Sequence, residues 1–259
     1  MRILLASSEF SPLARTGGLG EAVAGIARAL VAAGHEVTVA LPRYRQLQSL
    51  GTETGSSGPA RAVYHHEYGG VEVLLIDDPP AFDRDGIYGD SHGEGYDDQW
   101  WRFARFSASV RSLSKGFDVV HLHDAHTGLA ALDNPAPTVF TIHNSAYGIF
   151  GPLAETAALA GVEDRHLEPK AALEWWGQAS FLKAGVVGAD RVTTVSPSFA
   201  RQLTEDGSIS GGLDGVLRAL PHPIVGIVKG LHPGEWDPRS DPAVTAPFTH
   251  NRPFPVSYT

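Results

Sequence analysis

The chain has 259 residues, 42% hydrophobic and 19% charged, the balance of a globular protein with enough length for one large or two modest domains. It contains no cysteine, which excludes disulfides, thiolate metal sites and cysteine nucleophiles. Its net charge of −9 argues against non-specific nucleic-acid binding, no apolar run is long enough to span a bilayer, and the first residues lack a secretory signal. No nucleic acid or membrane is therefore expected as a partner, and a cytoplasmic location is.

Residues 1–6 read as a buried strand, and a polar loop with a glycine pair leads into a helix over 19–33, apolar at Leu19, Val23, Ile26, Ala27 and Leu30. Gly34-His35 punctuates, and a second strand over 36–41 stops at Pro42. Residues 51–59, rich in Gly, Ser and Thr, predict a mobile surface loop. A strand over 71–76 ends at Asp77-Asp78-Pro79-Pro80, and a glycine- and aspartate-rich stretch over 83–98 leads to a helix burying Trp101, Phe103, Phe106 and Val110. Strands follow over 117–122 and 138–142, then a helix over 171–187 with Trp175, Trp176, Phe181 and Leu182 in its core. A strand over 191–195 runs into a helix with Ser196 as N-cap and Pro197 in its first turn. Residues 233–259, rich in proline and polar residues, read as a linker or loosely structured end.

Apolar strands interleaved with helices specify an α/β domain, Rossmann-like and three-layered, with a mostly parallel sheet covered on both faces. Ligands of such sheets bind beyond the carboxyl ends of the strands. Three polar clusters sit there: Arg15 to Glu21, His123 to His126, and His143 to Tyr147. In the first, a glycine loop at a helix N-terminus presents backbone N–H groups and a positive dipole end to a phosphate, with Arg15 adding a fixed charge. Alternatively, Gly17 and Gly18 serve only the packing of a tight strand-to-helix turn.

His121, His123, Asp124 and His126 have the composition of a metal site, but three or four of them would have to converge on one point. Otherwise they are packed strand histidines and a polar rim. In the third cluster, His143 and Tyr147 suit a polyhydroxyl ligand, and Asn144 equally suits a turn in which it bonds its own backbone. No serine sits in a nucleophile elbow.

Together the motifs resemble those of the bacterial glycogen synthase and plant starch synthase family. Arg15-Thr16-Gly17-Gly18-Leu19-Gly20-Glu21 is similar to its Lys-Thr-Gly-Gly-Leu-Gly/Ala-Asp signature. His123-Asp124-Ala125 resembles its His-Asp-Trp motif, and the stretch from His143 to Gly148 its His-Asn-Leu-Ala-Tyr-Gln-Gly. The segments 177–185, 189–197, 212–218 and Trp236-Asp237-Pro238 continue the match in the family's order, over nearly all of residues 1–240. The resemblance implies the N-terminal half of a GT-B glycosyltransferase over residues 1–230. It also implies a linker or tail over 231–259 and no second GT-B domain, where the nucleotide pocket would lie.

The implied reaction is glucose transfer, with retention and without metal or other cofactor. The donor would be a nucleotide-diphosphate sugar such as ADP- or UDP-glucose, and the acceptor a glucan or small molecule. His143 and Asp124 are the implied catalytic residues; Arg15, Gly17, Gly18, Glu21, His123, Asn144 and Tyr147 are the implied substrate contacts. Several positions depart from the family. Arg15 replaces lysine, Glu21 replaces aspartate, Ala125 replaces a tryptophan on which a sugar could stack, and Ser145 replaces leucine. Lys229-Gly230-Leu231-His232 stands in place of Asn-Gly-Ile-Asp. Three functions fit: half of a transferase, either a piece of a longer chain or a natural half that assembles with a separate donor-binding chain; a stand-alone enzyme acting on nucleotide sugars or small glycosides, hydrolysis with Asp124 or Glu21 as base being the simplest case; or a non-catalytic carbohydrate-binding or regulatory module.

Overall fold

The structure is a computed structural model that describes residues 1–230, 237–249 and 251. It divides into two units, Met1–Val228 and Lys229–Thr259. In chain order the first holds β1 (Arg2–Ala6), α1 (Gly18–Ala32), β2 (Glu36–Pro42), β3 (Thr52–Gly55), β4 (Ala62–Tyr68), β5 (Val71–Asp77), α2 (Pro79–Phe82) and α3 (Gln99–Leu113). There follow β6 (Val119–His123), a 3₁₀ segment (Ala125–Ala131), β7 (Thr138–Ile142), β8 (Phe150–Pro152), α4 (Leu153–Ala160), β9 (Glu174–Trp175) and β10 (Gln178–Ser180). The unit ends with α5 (Phe181–Gly188), β11 (Arg191–Thr194), α6 (Pro197–Glu205), α7 (Gly207–Ser210), α8 (Asp214–Arg218) and β12 (Val225–Gly226).

The large sheet has nine strands in the order β12-β11-β7-β6-β1-β2-β5-β4-β3. It is parallel from β12 through β5, with β4 and β3 antiparallel at one edge. From β1 the chain steps outward to β2 and β5, then returns through α3 to β6 on the other side of β1 and continues away from it. Because the chain runs one way from β1 to β2 and the other way from β6 to β7, crossovers of the usual right hand put α1 on the face opposite the helices that follow β5. The reversal falls between β1 and β6, where open α/β sheets form a crevice at the strands' carboxyl ends. The central strands are buried on both faces, as their unbroken apolar runs require, and Leu4, Leu5, Val39, Leu41, Leu122 and Phe140 lie in one core.

Two expectations are corrected. Residues 51–59 hold strand β3, paired with the unanticipated β4, instead of a loop throughout. Every β3 residue is exposed, and much of β4 carries His, Glu and Tyr, so no apolar alternation marks either strand. The helix expected over 171–187 is a hairpin, β9–β10, followed by the short α5. Trp176 and Gly177 turn it, both left-handed at φ 50° and 82°. The Glu174 carboxylate accepts the N–H groups of Gly177 and Lys170, at 2.9 Å each. The buried Lys183 ammonium, donating to the carbonyls of Ala171 and Glu174 at 2.6 Å, ties the hairpin to α5. Trp176 is 85% exposed, not core, while Phe181 and Leu182 are buried as expected.

Ser196 does cap α6, accepting from the Phe199 N–H at 3.0 Å. In the second unit the described residues form turns and no helix, with the Asp237 carboxyl pulled down to about 2 by its bonds to Arg239. Leu231, His232 and Trp236 lie outside the described residues.

Candidate functional site

Adjacent strands β1, β6 and β7 deliver the three polar clusters to one rim, as the sequence suggested. The loop after β1 is organised by a residue that motif reading passed over. The Glu9 carboxylate accepts the backbone N–H of Thr16 at 2.8 Å, that of Gly17 at 3.1 Å, and the Thr16 hydroxyl at 2.9 Å. The Tyr88 hydroxyl donates to the same carboxylate at 2.9 Å, and Ser8 can in turn donate to Tyr88 at 2.7 Å. Burial pushes the Glu9 carboxyl up, but these donors more than offset it and hold it below the usual carboxylate range.

Two N–H groups of the glycine loop are therefore already engaged. An anion would be left with those of Gly18 and Leu19, which open α1. The three glycines differ in kind. A Cβ at Gly20 would crowd the Ala14 carbonyl and Arg15 at 3.3 Å, whereas one at Gly17 or Gly18 would meet nothing within 4 Å. Packing thus accounts for Gly20 and not for the glycine pair, which lines open space. Arg15 pairs with Glu21, which also accepts from the Ser11 hydroxyl at 2.9 Å; Arg15, chiefly, draws the Glu21 carboxyl down. Both side chains are partly exposed, so the Arg15 guanidinium is within reach of solvent.

The second and third clusters are clasped together. Asp124, left-handed at φ 59°, accepts the backbone N–H groups of His143 at 2.6 Å and Asn144 at 3.2 Å. His123 Nδ1 lies 2.9 Å from His143 Nε2, a hydrogen bond that requires one N–H and one lone pair. Asn144 also makes the expected turn, accepting from the Ala146 N–H at 2.9 Å, and it leaves Tyr147 71% exposed. Among the described residues no group of three or more His, Asp or Glu is arranged to hold a metal ion.

His121 and His126 stand behind the rim. His121 bonds the Thr141 hydroxyl at 2.6 Å, and burial lowers its pKa to about 4. His126 packs between Tyr88 and Phe103, centroids 4.8 and 4.6 Å away, and burial lowers it likewise to about 4. Tyr88 thus joins the glycine loop to the His126 segment. Two departures from the family motifs gain a structural setting. Ala125 is buried, so its position belongs to the core and offers no stacking surface to a sugar. Ser145 is buried and donates to the Ile209 carbonyl, tying the rim loop to α7.

A doubly wound sheet with this rim at its reversal point is the Rossmann-like half of a GT-B glycosyltransferase fold. The chain belongs to the starch synthase catalytic domain family, whose model it matches over residues 2–219. It is 39% identical to a glycogen synthase of Ralstonia nicotianae over 272 residues, covering 96% of this chain and 49% of that protein. A glycogen synthase of Paracidovorax citrulli is 37% identical and covered to 55%. The catalytic domain of starch synthase IV from Arabidopsis thaliana, bound to ADP and acarbose, superposes with a TM-score of 0.82 at 26% identity, over 97% of this chain and 56% of that one. The chain spans about half the length of the curated relatives it matches. No helix among the described residues is long and apolar enough to cross a membrane.

Proposed function

We propose that this chain is the acceptor-side half of a retaining glucosyltransferase that takes glucose from a nucleotide-diphosphate sugar, such as ADP-glucose, and adds it to an α-1,4-glucan. The observation that carries this reading is the open glycine pair beside Arg15, on the same rim as the clasped His143. One half suits a diphosphate, the other a sugar. Arg15 and the N–H groups of Gly18 and Leu19 stabilise charge on the departing diphosphate. His143 lies against the transferred glucose, and Asn144, Tyr147 and Glu21 contact the substrates; His123, expected as a contact, is fully buried and acts through its hydrogen bond to His143. Asp124 fixes the backbone that presents His143, which contributes through positioning. The ADP and acarbose held by the Arabidopsis relative support the pairing of a nucleotide with a sugar chain.

The remainder of the donor pocket comes from a second GT-B domain. The test mixes this chain with the separately produced C-terminal half of the Ralstonia glycogen synthase. Incorporation of labelled glucose from ADP-glucose into glycogen is then measured. Each half alone should be inert and the mixture active. Release of free glucose by this chain unaided would replace the reading with a hydrolase, and an inert mixture would point to a binding module.

A further inference from the structure

Beneath the rim the sheet carries a row of polar side chains between apolar neighbours. His123 on β6 lies opposite Thr141 on β7, and Thr141 lies opposite Thr193 on β11. His121, two residues before His123, projects from the same face of β6. The two imidazoles stack, centroids 4.1 Å apart and planes at 34°. His121 Nε2 is 2.6 Å from the Thr141 hydroxyl, which in turn is 2.6 Å from that of Thr193. His123 is 0% exposed and Thr141 6%. Polar groups buried in a sheet cost free energy unless they are bonded, and apolar residues would pack there without that cost. A polar row kept in a core points to a task at the rim above it.

The link from this row to the rim is the 2.9 Å bond between His123 Nδ1 and His143 Nε2. An imidazole just past a strand end has a choice of rotamers and of two neutral tautomers. Asp124 removes the backbone freedom by accepting the His143 N–H at 2.6 Å, and His123 removes that of the ring. The direction of the bond decides which nitrogen of His143 carries its proton. The Asp124 carboxylate sits at the His143 backbone N–H, and by covalent connectivity Nδ1 is the ring nitrogen nearer to that atom. Negative charge there favours a proton on Nδ1 and leaves Nε2 as the acceptor. His121, uncharged near neutral pH because burial lowers its pKa to about 4, gives His123 a neutral ring to pack against.

We infer that His123 is a positioning residue: it donates from Nδ1 to His143 Nε2, fixes the His143 proton on Nδ1, and so turns His143 into a hydrogen-bond donor toward the sugar at the rim. His121, Thr141 and Thr193 hold His123 in that role from beneath. That the recipient is a sugar rests on the transferase reading; the placement of the proton does not.

Long-range ¹H–¹⁵N NMR of the full chain labelled with ¹⁵N-histidine tests the proton directly. Near neutral pH, His143, assigned by the signal that His143→Gln removes, should be a single tautomer protonated on Nδ1. His123→Phe keeps a ring against His121 but offers no donor, and should leave His143 an average of both tautomers. His123→Asn, whose side-chain amide reaches the place of Nδ1, should restore the single form. A parent protonated on Nε2, or on both nitrogens, overturns the proposal. So does an unaltered tautomer in His123→Phe that melts as a folded chain; if that variant does not fold, His123→Gln, whose amide falls at Nε2 instead, serves the same comparison. In the mixture with the Ralstonia C-terminal half, His123→Phe should lower kcat about tenfold at unchanged KM for ADP-glucose, with His123→Asn recovering most of the loss. A parent-like kcat in His123→Phe would overturn the positioning role, since a purely structural residue moves the melting temperature and not this split. A single Nδ1 tautomer together with an inert parent mixture would sink the transferase reading and leave the proton where it is placed.

Discussion

At the scale of single residues, two acidic side chains border the glycine loop and differ in weight. Glu21 makes a solvent-accessible pair with Arg15, and exposed pairs contribute at most about 1 kcal/mol. Glu9 is 3% exposed and accepts two backbone N–H groups and two hydroxyls. Replacing it with Gln turns an acceptor toward those donors into an amide and leaves at least one of them unsatisfied, at a cost of about 2 kcal/mol. Urea unfolding should therefore separate Glu9→Gln from Glu21→Gln; equal midpoints for the two variants would refute the bracing role. Arg15→Ala removes the loop's fixed positive charge. ADP affinity of the completed enzyme should fall about tenfold, while the unfolding midpoint stays within experimental scatter. An unchanged ADP affinity would remove Arg15 from the donor site.

At the scale of elements, the close approaches are fixed by glycine. The 3₁₀ segment after β6 crosses the start of α5 at Gly128, where a Cβ would collide with the Phe181 carbonyl. A backbone carbonyl cannot swing aside as a side-chain tip can. Gly128→Ala should thus destabilise by about 2 kcal/mol or more, visible as a lower urea midpoint at unchanged slope.

How far the elements were legible follows from where their signals lay. The parallel strands and α1 were readable because burial on both faces or one stripe leaves an apolar imprint. The β3–β4 pair was not, since its exposed face is polar and its partner strand distant in pattern. The hairpin at Trp175–Gln178 was misread as helix because apolar spacing was counted across a turn that only backbone dihedrals reveal. Gly177, followed by a short strand, was the available signal. The three polar clusters were visible at strand ends, yet their wiring was not: the bonds from Glu9 to Thr16 and from Asp124 to His143 depend on side-chain direction, which spacing does not encode.

At the scale of the whole molecule, the buried histidines set the acid limit. The pKa values of His121 and His126 fall to about 4 in the folded chain, below the ordinary histidine value of about 6.5 that applies when unfolded. Between those values the unfolded chain binds more protons, so stability is full above pH ~6.5 and declines as pH falls toward 4, by up to about 3 kcal/mol per histidine. Glu9, held below its ordinary value, adds a loss that begins as pH falls through the ordinary glutamate range and continues below pH 4. Denaturant midpoints should drop steadily between pH 6.5 and 4, and His121→Gln should flatten part of that slope. A flat profile across this range would contradict the burial of both rings.

The margins of the nine-stranded sheet carry a consequence for behaviour in concentrated solution. One margin is the two-residue β12, too short to template another strand. The other is β3, wholly exposed, carrying Glu53 and broken by a register shift between Glu53 and Gly55. Short, charged or bulged margins resist edge-to-edge addition, which is how sheets seed aggregates. The protein should accordingly remain dispersed at high concentration, and straightening β3 by deleting its bulge residue, Thr54, should render it prone to fibril growth.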